Sequence, residues 1–291
     1  MYKIRIPIGL ALLSCIGGLV YCDYYTNTSW CTSLILGLLI LASFFEFCTM
    51  FQEWKPFRCL GTILVSCNVL CLILHAAYAQ TATIPTENAS SFSFLWSSSF
   101  LQMLEMTSII LIFVMALYKN QDQKIIESMS ITIFGFMGVY MLLSFLLRIR
   151  SFGSKGLFFL LLLVLVAKGM DMGGYLIGKA FGKHKIAPNI SPKKSWEGFF
   201  GGLIFSGLFA FFLPKWLPEL TPFSIYQWFF FALITGLLSF MGDLAESFLK
   251  RKCGKKDSGN ILPEFGGFFD ITDSLLFVAP WGYFFYQYCL V

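Results

Sequence analysis

The sequence is short of charge. Asp, Glu, Lys and Arg make up 13% of its 291 residues, about half the share found in an ordinary soluble domain, which excludes a solvated globule of this length. Histidine is nearly absent, with only His75 and His184, and that argues against a zinc centre built from His and Cys. The nine cysteines include no C-x-x-C pair and fall mostly inside apolar runs, so they read as small buried hydrophobes rather than a disulfide or metal framework. No repeat of fixed period occurs, and no low-complexity tract beyond runs of Leu and Phe.

What is there is apolar: 57% hydrophobic residues, 34 of them Phe. Stretches long enough to cross a hydrocarbon core of about 30 Å recur at roughly 6–22, 30–51, 59–78, 94–117, 129–147, 156–177, 198–213, 223–241 and 270–289. The expected fold class is all-α, a polytopic integral membrane protein of about nine transmembrane helices with no sizeable soluble domain. With the N-terminus inside, 16 of the 21 Lys and Arg fall on the inner side, Arg148, Arg150, Lys155 and Lys215 on the outer side, and Lys168 within a span. Basic residues near span ends favour the cytoplasm, so a cytoplasmic N-terminus and an outer C-terminus are expected. Lys3 and Arg5 before an apolar run also fit a signal peptide, but no small-x-small site stands near Cys22 and further spans follow, which favours a retained anchor. Asn27-Thr-Ser and Asn88-Ala-Ser fit the glycosylation sequon in outer loops.

Charge divides the chain in two. Residues 1–125 have short loops, with Glu46 and Glu105 the only acids well inside spans, and read as scaffold. Residues 126–291 hold two long, basic, Gly-containing inner connections, 178–197 and 242–269, where chemistry is expected.

In "GDLAESFLKRKCGKKDSG", Asp243, Glu246, Ser247 and Lys250 sit at i, i+3, i+4 and i+7, which lines them up on one helix face. Such a stripe suits a divalent metal with a phosphate, or an ordinary solvated face laced by ion pairs. In "KKDSGNILPEFGGFFDITDS", Asp270 and Asp273 stand one turn apart at the mouth of the last span. Carboxylates there are paired, metal-bound or helix-capping, and oxygen-only ligands suit Mg²⁺. Gly266 and Gly267 just before them would let backbone N–H groups approach a phosphate.

Upstream, Lys168 and Asp171 lie three apart inside a span, either a neutralising pair or part of a site. Gly173 to Lys179 fits G-x-x-x-x-G-K, but Ala180 stands where a phosphate loop needs Ser or Thr and the segment is a membrane helix, so that motif is rejected. "SPKKSWEG" sets Lys193 and Lys194 after a Pro turn and Glu197 at a span start; the lysines fit either a bound anion or anionic lipid. His184 reads as a solvated loop residue. By the topology above, both basic loops and the carboxylates Asp171, Asp243, Asp270 and Asp273 converge on one membrane face, suited to a polyanion, a metal and a lipid.

The order Ser247-Phe-Leu-Lys250-Arg251, Lys256-Asp257, Pro263-Glu-Phe-Gly266-Gly267 and Asp270-Ile-Thr-Asp273 resembles the signature of the membrane phosphatidate cytidylyltransferases, or CDP-diglyceride synthetases. That signature runs Ser-x-x-Lys-Arg, Lys-Asp, Pro-x-His-Gly-Gly, Asp-Arg-x-Asp, and the match extends over about residues 155–280. Phe265 stands where the family usually has His, and Ile271 where it usually has Arg. The retained carboxylates, Ser, Lys and Arg favour an active enzyme over an inactive relative.

The resemblance implies a nucleotidyltransferase of phospholipid biosynthesis that converts CTP and phosphatidate to CDP-diacylglycerol and pyrophosphate. It implies Asp243, Asp270 and Asp273 as ligands of Mg²⁺ or another hard divalent cation, and a monovalent cation as a further cofactor. Ser247, Lys250, Arg251, Lys256, Asp257 and Asp273 would be catalytic, and Asp171, Lys193, Lys194, Glu197, Glu246, Gly266 and Gly267 would contact substrate. It further implies CTP, phosphatidate and membrane lipid as partners, no nucleic acid, a homodimer, and a bacterial inner membrane with the site on its cytoplasmic side. The other readings weighed are a CTP-dependent lipid kinase or other CDP-lipid synthase, and an ion or solute transporter. Against transport, no inverted repeat occurs and the charges cluster on one face.

Overall fold

In a bilayer a backbone can satisfy its own polar groups only as a helix or a closed barrel, and the long apolar runs here take the first solution. The computed structural model describes residues 17–81, 97–119, 124–216, 224–259, 261 and 266–289. Lys3, Arg5, most of the span expected at 6–22, the Asn88 sequon, Pro263 and Phe265 lie outside them. The chain is an all-α polytopic membrane protein. Among the described residues seven helices are long and apolar enough to cross a membrane: Trp30–Met50, Arg58–Ala79, Ser98–Tyr118, Ile125–Arg150, Gly153–Phe181, Trp196–Lys215 and Ile225–Lys252.

In chain order the elements are α1 (17–26), α2 (Trp30–Met50), α3 (Arg58–Thr81), α4 (Ser98–Tyr118), α5 (Ile125–Gly135), a π-helical stretch Phe136–Met141, and α6 (Leu142–Arg150). There follow α7 (Gly153–Phe181), β1 (Lys185–Ala187), β2 (Ser191–Ser195), α8 (Trp196–Phe212), α9 (Ile225–Lys252), α10 (Phe268–Thr272) and α11 (Leu275–Cys289).

Three features differ from the expected pattern. The connection after α7 holds a small antiparallel hairpin, with Lys185 opposite Ser195 and Ala187 opposite Ser191. Ser195 then caps α8 by accepting from the Gly198 N–H at 3.2 Å, which satisfies one of the free donors at a helix start. α9 runs past residue 241 to Lys252, because the polar side chains of its last turns find partners on neighbouring segments. The run 270–289 is interrupted at Asp273 and Ser274, leaving an α11 of 15 residues, about 22 Å at 1.5 Å per residue and short of a full crossing.

Helix α7 is the axis of the second half of the chain and packs closely on α8. A side chain at Gly173 would have its Cβ 2.7 Å from the Gly201 carbonyl oxygen and from Phe205 Cβ, so glycine is what lets the two backbones meet. The core contains the fully buried rings of Phe44, Phe47, Phe136, Phe159, Phe231 and Phe269. Through it α2 docks on α10: the Phe47 and Phe269 rings meet edge to face at 6.1 Å, and the Ser43 and Thr272 hydroxyls are 2.9 Å apart and buried. Elsewhere a buried ion pair, Arg150 with Asp23 at 3.5 Å, ties α6 to α1.

Candidate active site

Four segments build the site: the last turns of α9, the middle of α7, the hairpin with the start of α8, and the α10–α11 break. On α9 the helical period brings Asp243, Glu246, Ser247 and Lys250 to one face, as their spacing predicts. Asp243, Glu246 and Asp273 each present a carboxylate oxygen, all within 4.8 Å of one another. Lys250 Nζ lies 2.6 Å from Glu246 Oε2, an ion pair by distance. Glu246 is itself fully buried. Carboxylates gathered this closely repel one another unless cations neutralise them, and three hard oxygen donors are what a divalent cation such as Mg²⁺ takes. The residues fit such an ion.

Asp270 stands outside that trio. It accepts from Lys250 Nζ at 2.7 Å, from the Gly267 N–H at 2.7 Å, and from the Ser258 N–H and hydroxyl, each at 3.0 Å. Its carboxylate thereby closes the N-terminal turn of α10 and fixes the Lys250 ammonium. The two glycines before it are required: Gly266 has φ +87°, and a Cβ on Gly267 would overlap Glu46 and Ser258.

Beside the trio lies a cavity of about 750 Å³ whose polar wall includes Asp171, Lys179, Lys185, Lys193, Lys194 and Asp243, and whose apolar wall includes Met170, Phe199 and Phe240. Asp243 belongs to both cavity and trio. Lys194 pairs with Asp243 at 3.1 Å and lies over the Phe240 ring, 4.4 Å from its centroid. Lys193 is exposed on the cavity rim, and Lys168 pairs with Asp171 at 3.2 Å.

The other expected residues are spread more widely. Ser247 Oγ is 3.4 Å from Asp243 Oδ1. Arg251, Lys256 and Asp257 are exposed, with Arg251 donating to the Ile190 carbonyl at 3.4 Å and the Lys255 carbonyl at 3.3 Å. Glu197 turns to the hairpin, accepting from the Lys183 and His184 N–H groups at 3.1 and 3.2 Å, with His184 Nδ1 at 2.7 Å. His184 is exposed yet paired.

Sequence reasoning passed over three residues. Lys179 and Lys185, inner cations by the charge pattern, line the cavity without belonging to the expected site. Glu46, treated as scaffold, is buried and accepts from the Ser258 hydroxyl and the Phe269 N–H, both at 2.9 Å. The available signal was an acid inside an apolar span.

Fold and site together define a membrane protein in which hard carboxylates and lysines share one cavity with an apolar wall. The chain belongs to the cytidylyltransferase family, whose family model matches residues 3–289. It is similar to the phosphatidate cytidylyltransferase of Haemophilus influenzae, 39% identical over 137 residues covering 46% of this chain and 48% of the relative. It is also similar to the proteins of that name from Staphylococcus aureus, 43% identical over 129 residues (44% and 48% of the two chains), and Bacillus subtilis, 41% over 145 residues (48% and 51%). The chain spans about half the length of the curated relatives it matches.

Proposed function

We propose that the protein is a metal-dependent phosphatidate cytidylyltransferase. The observation that carries this reading is the place of Asp243, which belongs at once to the acidic trio and to the wall of the lysine-lined cavity. A phosphate bound by the lysines therefore lies against the trio, and Phe199 and Phe240 offer an apolar flank to a lipid tail. Family membership and the names of the similar proteins support the same choice of substrates.

In the reaction a phosphate oxygen of phosphatidate attacks the α-phosphorus of CTP. A new P–O–P bond forms, the bond from the α-phosphorus to the bridging oxygen breaks, and pyrophosphate leaves with that oxygen's electron pair. Such transfers rest on positioning and charge neutralisation, so no nucleophilic side chain is needed. A divalent cation held by Asp243, Glu246 and Asp273 would neutralise charge developing on the phosphate oxygens. Lys193 and Lys194, with Lys179 and Lys185, hold the two anions together against their mutual repulsion. Ser247 donates to a phosphate oxygen, while Arg251 and Lys256 at the exposed end of α9 neutralise the triphosphate. Asp270 aims Lys250, and Asp171 completes the acidic edge of the cavity. The excess of basic residues on this face puts it in the cytoplasm, in our reading at a bacterial inner membrane.

The test uses purified protein, dioleoyl phosphatidate and CTP labelled at either the α- or the γ-phosphate. The proposal expects the α label in the lipid phase and the γ label in pyrophosphate. The γ label in lipid would mean a CTP-dependent kinase instead, and label in neither would leave no transfer to lipid.

A further inference from the structure

Lys168 has no part in the chemistry above. It sits in the middle of α7, half-buried, where a charge persists only with partners. Its Nζ donates to the Ile271 carbonyl oxygen at 3.0 Å and to Ser274 Oγ at 2.7 Å, and it lies 3.2 Å from Asp171 Oδ2 and 3.8 Å from Asp273 Oδ1. Ile271 precedes Asp273 and Ser274 follows it, so a single ammonium from another helix grips both sides of the α10–α11 break. Two of these contacts are to neutral groups and fix backbone position rather than balance charge. Position 271 itself is Ile, so α10 supplies no cation of its own between Asp270 and Asp273.

We propose that Lys168 is a positioning residue: by pinning Ile271 and Ser274 it aims the Asp273 carboxylate into the trio with Asp243 and Glu246. The inference rests on the metal reading of that trio. Positioning and simple electrostatics predict opposite signs. Removing a cation beside acids makes them more negative and tightens a divalent ion, whereas releasing Asp273 from its place weakens it.

The experiment measures Mn²⁺ binding to the full chain in detergent by loss of the free-ion electron paramagnetic resonance signal, with thermal unfolding recorded on the same samples. Groups that orient metal ligands contribute about 10- to 100-fold in metal affinity, so Lys168→Met is expected to weaken Mn²⁺ binding within that range. Lys168→Arg, which keeps charge and donors, retains most of the affinity. Ser274→Ala keeps every charge, loses one anchor and weakens binding to a smaller degree, which covers the case in which Lys168→Met does not fold. In an Asp273→Asn background Lys168→Met has no further effect, since its path runs through Asp273. Unchanged or tighter Mn²⁺ binding in folded Lys168→Met, or in Ser274→Ala where only that variant folds, overturns the inference. A parent chain that binds no Mn²⁺ overturns it together with the metal reading. Mn²⁺ binding without CDP-lipid formation overturns the choice of substrates alone and leaves Lys168 in this role.

Discussion

Ser258 donates its hydroxyl to Glu46 at 2.9 Å, joining two residues 212 positions apart. The same oxygen is 3.0 Å from Asp270 Oδ2, so one hydroxyl hydrogen faces two carboxylates. Glu46 also takes the Phe269 N–H at 2.9 Å, and the Thr49 carbonyl one turn on accepts from Lys255 Nζ at 2.9 Å. Helix α2, which carries no motif, therefore grips the loop and short helix that hold Asp270, and Asp270 holds Lys250.

Glu46→Ala strands the Phe269 N–H, while the Ser258 hydroxyl keeps Asp270 Oδ2 at 3.0 Å as its acceptor. A buried unsatisfied donor costs about 1–3 kcal/mol, so thermal unfolding in detergent moves down and turnover falls with it. Glu46→Gln keeps an acceptor oxygen for both donors and is the milder change. Equal stability of Glu46→Ala and parent would contradict the contact.

Asp243→Asn and Asp270→Asn separate metal binding from positioning. Both lose CDP-lipid formation, because each removes charge on which the phosphoryl site depends. Neutralisation by a bound cation is worth several kcal/mol, so turnover of Asp243→Asn drops by about a thousandfold. Titration with Mn²⁺ distinguishes them: affinity is lost in Asp243→Asn and largely kept in Asp270→Asn, whose carboxylate faces Lys250 and Ser258. Loss in both would return Asp270 to the metal.

Lys193→Ala and Lys194→Ala act on binding. A basic residue near an anionic surface contributes about 1 kcal/mol, so each raises KM about fivefold. Added salt raises the KM of the parent in the same direction, since exposed charges are screened. The kcat of Lys193→Ala stays near that of the parent, while Lys194→Ala also disturbs Asp243, its partner at 3.1 Å.

Gly173→Leu forces α7 from α8. Overpacking a tight interface costs about 1–3 kcal/mol or more, and the Cβ has no space beside the Gly201 carbonyl. The variant is expected to unfold at a lower temperature than Gly173→Ala, and both below the parent.

Much of this was legible from local pattern. The seven long helices follow from hydropathy alone, and the Asp243–Lys250 stripe follows from the helical period because both are properties of neighbouring residues. What escaped depends on distant partners. Nothing around Glu46 announces Ser258, and the acid looks like a scaffold anomaly until α10 docks on α2. The meeting of Asp273 with Asp243 and Glu246 depends on the break at Asp273 and Ser274, and that of Asp270 with Lys250 on where α10 docks, neither of which an averaged apolar run reveals. The hairpin at 185–195 was hidden for a related reason: its lysines read as a basic loop, while its short ladder depends on the register of Lys185 with Ser195.

In the proposed reaction the trio and the lysine cavity together join CTP to phosphatidate. The most direct measurement incubates purified protein with both substrates and Mg²⁺, then quantifies CDP-lipid and pyrophosphate by mass spectrometry and enzymatic assay, with EDTA and Asp243→Asn as parallel samples. Both products are expected in equal amounts, abolished by EDTA and by the substitution. Product formed equally well in EDTA, or none formed by parent protein that is folded and binds CTP, would contradict the proposed reaction.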